Sequence, residues 1–255
     1  MTDVAGGVRG AVVFLTRLPI ESDESDWRRF QTFPAAFPLA GYLVGALLAI
    51  PFILFDAAPT AAAAAYLVFV YLLTGVNHLD GVADLGDAAA IHDAERRRKA
   101  LKDTTTGVGA VGAVAVVVAA LALAAVALAG LPLALAVVLV VASEVSAKLA
   151  MATVACFGTA THEGLGSGFT RNADPALLVG PLVAAVPAAL LGVVVAPSAL
   201  LATIAAVAVG PLVGYALVRW ATRAIGGVNG DVFGAANELA RLVALHLGVV
   251  VWMRF

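Results

Sequence analysis

Charge is scarce in this chain. Asp, Glu, Lys and Arg make up 13% of its 255 residues, about half the share of an average soluble domain. A single cysteine, Cys156, excludes an intrachain disulfide and any multi-cysteine metal site within one chain. The net charge of −2 gives no general attraction to nucleic acid. No polar linker or low-complexity stretch divides the sequence, which reads as one membrane-embedded domain over residues 1–255. The N-terminus has no signal-peptide pattern, because Arg9, Arg17 and Pro19 interrupt its only short apolar stretch.

What is abundant is apolar sequence, at 62% hydrophobic residues and a mean hydropathy of +1.00. Runs long enough to cross roughly 30 Å of hydrocarbon are Phe37–Phe55, Ala61–Gly75 extended toward Asn77, Val108–Ala129, Leu133–Cys156, Ala176–Ala196 and Ala199–Trp220; Leu242–Met253 is a marginal seventh. The expected fold is all-α, a polytopic membrane helix bundle of six to seven transmembrane helices. Small residues inside the runs, among them Gly41, Gly45, Gly192 and Gly210, permit close helix packing.

The connections alternate in character. Asp56–Thr60, Gly130–Pro132 and Pro197–Ser198 are short and lack Lys and Arg. The N-terminal segment, Asp80–Gly107, Phe157–Pro175 and Ala221–Arg241 are longer and carry the basic residues. The positive-inside rule puts those four segments in the cytoplasm, so the chain reads as a multi-pass protein of a prokaryotic cell membrane with its site facing the cytoplasm.

All the chemistry-bearing motifs fall on that side. Asp80, Asp84 and Asp87 follow an apolar run at i, i+4 and i+7, one helical face. Three like charges repel unless a cation sits among them, and a hard ion such as Mg²⁺ is the natural candidate. Gly81 between them is a candidate close-approach position. Arg96, Arg97, Arg98, Lys99, Lys102 and Asp103 follow; the basic residues suit phosphates and equally suit a membrane anchor. Thr104–Gly112 either caps a helix and packs it through glycines or offers N–H groups to phosphate, and it is not a P-loop. Glu144 and Lys148, at i and i+4 in an apolar run, pair with each other, as structure or as a ligand contact. His162–Phe169 is a glycine-rich loop. Gly226–Glu238 is a second acidic element, with Asp231 and Glu238 two turns apart and Asn229 and Asn237 nearby.

These segments, His78-Leu79-Asp80-Gly81-Val82-Ala83-Asp84, Lys102-Asp103 with Gly107 and Gly109, and Gly226 through Ala235, resemble the cobalamin synthase family, the adenosylcobinamide-GDP ribazoletransferases. Phe14 through Pro19 and Phe37 through Gly41 are similar to that family's opening, and the likeness runs in order over nearly the whole chain. Departures are Val76-Asn77, where the family more often has Gly-Gly, and Leu101 and Thr104-Thr105-Thr106 in its Met-Lys-Asp-Ser-Arg-Ile stretch. The resemblance implies a Mg²⁺-dependent transferase in cobalamin biosynthesis. A hydroxyl of α-ribazole or its 5′-phosphate would attack the phosphorus on the cobinamide side chain, and GMP would leave.

The expected metal ligands are Asp80, Asp84, Asp87 and Asp231. The expected catalytic residues are Asp80 and Asp84, with His78 as proton acceptor. Substrate contacts are expected from Arg96, Lys102, Asp103, Asn229 and Glu238. The partners are corrinoid and nucleoside substrates and the lipid bilayer, with no nucleic acid and with a homo-oligomer left open. Two alternatives stand beside this reading. Asp80-Gly81-x-x-Asp84 also resembles CDP-alcohol phosphotransferases. A cation transporter would place its acids near the bilayer midplane, where only Glu144 and Lys148 are expected.

Overall fold

The computed structural model describes residues 4–93, 97 and 105–255. Twelve α-helices are described. In chain order they are α1 (Val4–Leu15), α2 (Glu24–Thr32), α3 (Ala36–Leu48), α4 (Ile50–Leu54), α5 (Pro59–Thr74), α6 (Asn77–Ala90), α7 (Val108–Ala129), α8 (Leu133–Phe157), α9 (Leu165–Thr170), α10 (Val179–Leu190), α11 (Pro197–Ala224) and α12 (Gly230–Arg254). The described residues contain no strand, only an isolated bridge between Ala160 and Val228.

Six stretches are long and apolar enough to cross a membrane: Ala36–Leu54, Val108–Ala129, Leu133–Phe157, Pro175–Val194, Pro197–Ala224 and Gly230–Arg254. The protein is a polytopic α-helical membrane bundle. Two expectations change. The marginal run Leu242–Met253 is the second half of the 25-residue α12, whose first half looked like a polar loop. Asn237, Glu238 and Arg241 within it are buried and hydrogen-bond one another, His78 and Glu144, so the helix continues through them. The run at Ala61–Gly75 gives a 16-residue α5, and α6 leaves it at an angle of 94°.

Helix α8 is the centre, with Leu135 and Leu139 at one end and Ala150 and Val154 at the other almost free of exposure. Glycines let neighbours come this close. A Cβ on Gly45 of α3 would lie 2.7 Å from the Val141 Cα, and one on Gly214 of α11 would lie 2.6 Å from the Ala150 carbonyl oxygen. In lipid, where apolar burial gives little drive for association, such backbone approach supplies the packing. α7 and Pro175–Val194 are mostly exposed and form the apolar outside.

The helices have two distinct ends. At one, Phe52, Asp56, Leu128, Leu131 and Leu133 meet around short connections. At the other, the long polar segments gather. There α2 lies against α1 with Asp23 and Asp26 forming a capping box. The buried Asp26 is paired with Arg9 and Arg29.

Candidate active site

The site begins with the bend. Gly75 adopts φ 72°, a left-handed conformation that favours glycine, and the Arg17 side chain packs against it. The turn lays α6 across α12. A Cβ on Gly81 would sit 2.5 Å from the Asp231 carbonyl oxygen, and one on Gly234 would sit 3.0 Å from the His78 Cα. Glycine on each helix meets backbone of the other, and this brings Asp80 and Asp84 beside Asp231.

The second acidic element is held from its own side. Asn229 caps α12 by accepting from the Val232 N–H at 3.2 Å, while its amide donates to Asp231 at 2.6 Å. The Ala160–Val228 bridge, with hydrogen bonds of 2.8 and 3.0 Å, ties this loop to the glycine-rich segment before α9. A cavity of about 240 Å³ opens between them. Asp80 and Asp231 line it, with Asn77, Phe14, Phe169 and Phe233 among its walls. These rings belong to a larger aromatic set that includes Trp27, Phe30 and Phe37, with Phe169 5.1 Å from Phe37 and 5.7 Å from Phe233. Sequence reading missed the aromatic wall: its members come from separate segments, and no local pattern links them.

The carboxylates crowd one another. Asp84 is pushed up to about 6 by partial burial and then by the charges of Asp231, Asp80 and Asp87. Among the described residues no three His, Cys, Asp or Glu side chains converge as a ready-made metal cage. The donor set still fits Mg²⁺, which keeps several waters and takes one or two carboxylates plus substrate phosphates in preference to an all-protein cage.

Asp87 differs from its two partners. It accepts from Gly107 N–H at 2.7 Å and from Ala110 N–H at 2.8 Å. Both oxygens thus cap α7, where N–H groups have no partner within the helix. Gly86 and Gly109 make the approach close enough. The start of α7 is therefore capped from α6, and these N–H groups are not open to phosphate. Asp87 moves from the expected ligand set to a positioning role.

Two further expectations change. Glu238 is 1% exposed, and its carboxylate is held by both Arg241 bonds, at 2.6 and 2.7 Å. It belongs to the interior and not to a substrate surface. Arg241 is fully buried and also bonds Glu144, which in turn pairs with Lys148. It was expected in a cytoplasmic loop. Glu144 and Lys148 do pair, within this larger neutral set. Asn237 joins it, bonding Glu238 at 3.0 Å and His78 at 3.1 Å. Burial, with Lys148 and Arg241 near, holds the His78 imidazole down to about 3. His78 links α6 to α12 through Asn237 and also lines the cavity beside Asp80.

Arg96, Lys102 and Asp103 lie outside the described residues. Arg97 bends back onto α6, donating to the Ala88 and Ile91 carbonyls at 2.9 and 2.6 Å.

The shift at Asp84 has a measurable consequence. Its folded pKa of about 6 lies above the ordinary 3.8, so its contribution to stability is present below about pH 4 and lost as pH rises through 6. At pH 7.5 without metal, Asp84→Asn should melt several degrees higher than the parent in detergent, and at pH 4 the two should coincide. Mg²⁺ should raise the parent's Tm at pH 7.5 and not at pH 4. Equal melting at both pH values would show that these charges do not repel.

Residues 7–249 match the family model described as Cobalamin-5-phosphate synthase. The chain is 48% identical to an adenosylcobinamide-GDP ribazoletransferase of Halorubrum lacusprofundi over 97% of this chain and 98% of that one. It is 40% identical to the protein of that name in Haloquadratum walsbyi, over 98% and 99%. With the one in Methanocella arvoryzae it shares 35% over 99% of both. No solved structure matches the chain.

Proposed function

This chain belongs to the cobalamin-5-phosphate synthase family, and from that premise we propose that it joins adenosylcobinamide-GDP to α-ribazole or its 5′-phosphate with release of GMP. The observation that carries the reading is the cavity whose lining combines Asp80 and Asp231 with aromatic rings. The flat base of a ribazole suits rings such as Phe14 and Phe169. Its hydroxyl then faces the carboxylates. One of them accepts the hydroxyl proton as the oxygen attacks the phosphorus bearing the cobinamide side chain, and the bond to GMP breaks.

Mg²⁺ on Asp80, Asp84 and Asp231 would neutralise charge on the diphosphate and on the departing GMP. Asn229 keeps Asp231 aimed at the cavity, and the Gly81 contact fixes the spacing between the two acidic elements.

The site faces the cytoplasm of a prokaryotic cell membrane in this reading. Support comes from the basic residues at the site's end of the bundle, Arg17, Arg28, Arg29, Arg97, Arg219 and Arg223, against Arg254 at the other. Cys156 is buried, so introduced cysteines report cleanly. Asp93→Cys should react with an impermeant thiol reagent from the cytoplasmic side, and Ala58→Cys, Leu131→Cys and Ser198→Cys from the opposite side. Reaction of positions 93 and 131 from one side would overturn the arrangement.

The activity is tested by incubating purified protein with adenosylcobinamide-GDP, α-ribazole and Mg²⁺ and following GMP and the corrinoid product. Equimolar GMP and cobalamin are expected, abolished by chelation and restored by Mg²⁺. GMP release without corrinoid product would refute the transfer.

A further inference from the structure

α6 has a second face. Asp80, Asp84 and Asp87 point one way, while Val82, Leu85 and Ala89 help line an apolar groove of about 480 Å³ on the other. Val116 and Val117 of α7 and Leu217 and Trp220 of α11 complete its walls. Val116 is 67% exposed, so the groove opens sideways to the lipid-facing surface. It is almost wholly apolar, unlike the catalytic cavity.

The groove does not end in apolar surface. Trp220 also walls a neighbouring cavity of about 450 Å³ lined by Arg97, Arg219 and Arg223. Among the described residues no carboxylate pairs with any of the three arginines. Arg97 is anchored by the α6 carbonyls and Arg219 by Tyr215, whose hydroxyl lies 3.4 Å away. Three guanidiniums are thus gathered where the apolar helices meet the polar end, with an indole at the boundary. Such a tryptophan sits at headgroup level in membranes, and gathered arginines suit phosphate.

We propose that this place binds one anionic membrane lipid, its phosphate headgroup on Arg97, Arg219 and Arg223 and one hydrocarbon chain along the groove past Trp220. The combination selects an amphiphile. A free phosphate would leave the apolar groove unfilled, and a neutral lipid would itself offer the arginines no counter-charge. The bound chain would lie against the back of α6, the helix whose front carries Asp80 and Asp84, and so brace the catalytic helix from the membrane side.

Gly112 supplies a clean test. It lines the groove, and a Cβ there meets nothing within 4 Å, so Gly112→Phe fills the groove without a clash at its root. Phosphatidylglycerol and phosphatidylcholine with matched brominated chains serve as probes, added to protein in which Trp27→Phe and Trp252→Phe leave Trp220 as the only indole. Phosphatidylglycerol should quench Trp220 at about tenfold lower concentration than phosphatidylcholine, and Arg219→Gln with Arg223→Gln should erase that preference. Gly112→Phe should weaken quenching by both lipids. In the unsubstituted protein, native mass spectrometry should find one retained phosphatidylglycerol, lost in Gly112→Phe. Equal quenching by the two lipids, unchanged by the arginine substitutions, would reduce the groove to ordinary bilayer contact. Displacement of phosphatidylglycerol by inorganic phosphate or GDP would mark a soluble-phosphate site and overturn the lipid assignment. None of these readouts uses turnover, so they stand apart from the test of the transferase reaction.

Discussion

Asp84→Asn should lower turnover by about 10³-fold or more, on the scale of losing a group that stabilises transition-state charge, while the protein stays folded and melts higher at pH 7.5. Asp80→Asn and Asp231→Asn should do the same to turnover. Asparagine keeps the shape of the side chain and removes the charge that would hold a hard cation. The pairing of lost activity with gained stability separates a failed site from a failed fold. Asp87→Asn should behave differently. It weakens the cap on α7, at a cost of about 1 kcal/mol, and should leave turnover within a few-fold of the parent. Steady-state GMP release and thermal melting, measured on the same samples, check both. Wild-type turnover and unchanged Mg²⁺ dependence in correctly inserted Asp84→Asn would refute the site.

Arg241→Met should be the most damaging single substitution to the fold. Arg241 answers both Glu144 and Glu238, and its removal leaves three charges, two negative and one positive, inside the bundle. Breaking a buried pair by deleting one partner costs about 3–5 kcal/mol. The double variant Arg241→Met with Glu238→Met leaves the neutral Glu144–Lys148 pair and should recover most of that loss. Unfolding in mixed micelles provides the measurement. A single variant as stable as the parent would mean that the buried charges are not coupled as the geometry indicates.

What could be read ahead of the structure follows from sequence distance. The helical face of Asp80, Asp84 and Asp87 and the Glu144–Lys148 pair are separations of one or two turns, so spacing alone reveals them. The span Val108–Ala129 is bounded by glycine at both ends and was legible to the residue. Arg241 lies 97 positions from Glu144. Glu238, three residues before Arg241, sits at helical spacing from it but was not paired with it, nothing nearby announced Glu144, and a buried arginine read as a loop residue. Asp87 was placed on the right face and given the wrong company, because its hydrogen-bond donors begin 20 residues further on. The tie from His78 to Asn237 was hidden for a related reason: its partner lies on α12. The close approach at Gly81 and the meeting of its segment with that of Asp231 were anticipated, but the backbone contact between them, Gly81 against the Asp231 carbonyl oxygen, was not. Family membership removes the transporter and CDP-alcohol phosphotransferase alternatives, and the neutral set around Glu144 explains how deep charges coexist with an enzyme.

That neutral set also bears on how the chain enters the bilayer. Glu144 and Lys148 are one turn apart on α8, and Glu238 and Arg241 are one turn apart on α12. Each helix therefore carries its own counter-charge as it leaves the ribosome. Neither has to wait for the other to become tolerable to lipid, where a lone ionised side chain at mid-helix costs about 2.5–3.5 kcal/mol to insert. α8 can be threaded some 75 residues of synthesis before α12 exists, at roughly 5–20 residues per second. In the packed bundle both intrahelical pairs persist, and Arg241 additionally reaches across to Glu144. The same four side chains thus neutralise each helix by itself and tie the two helices together.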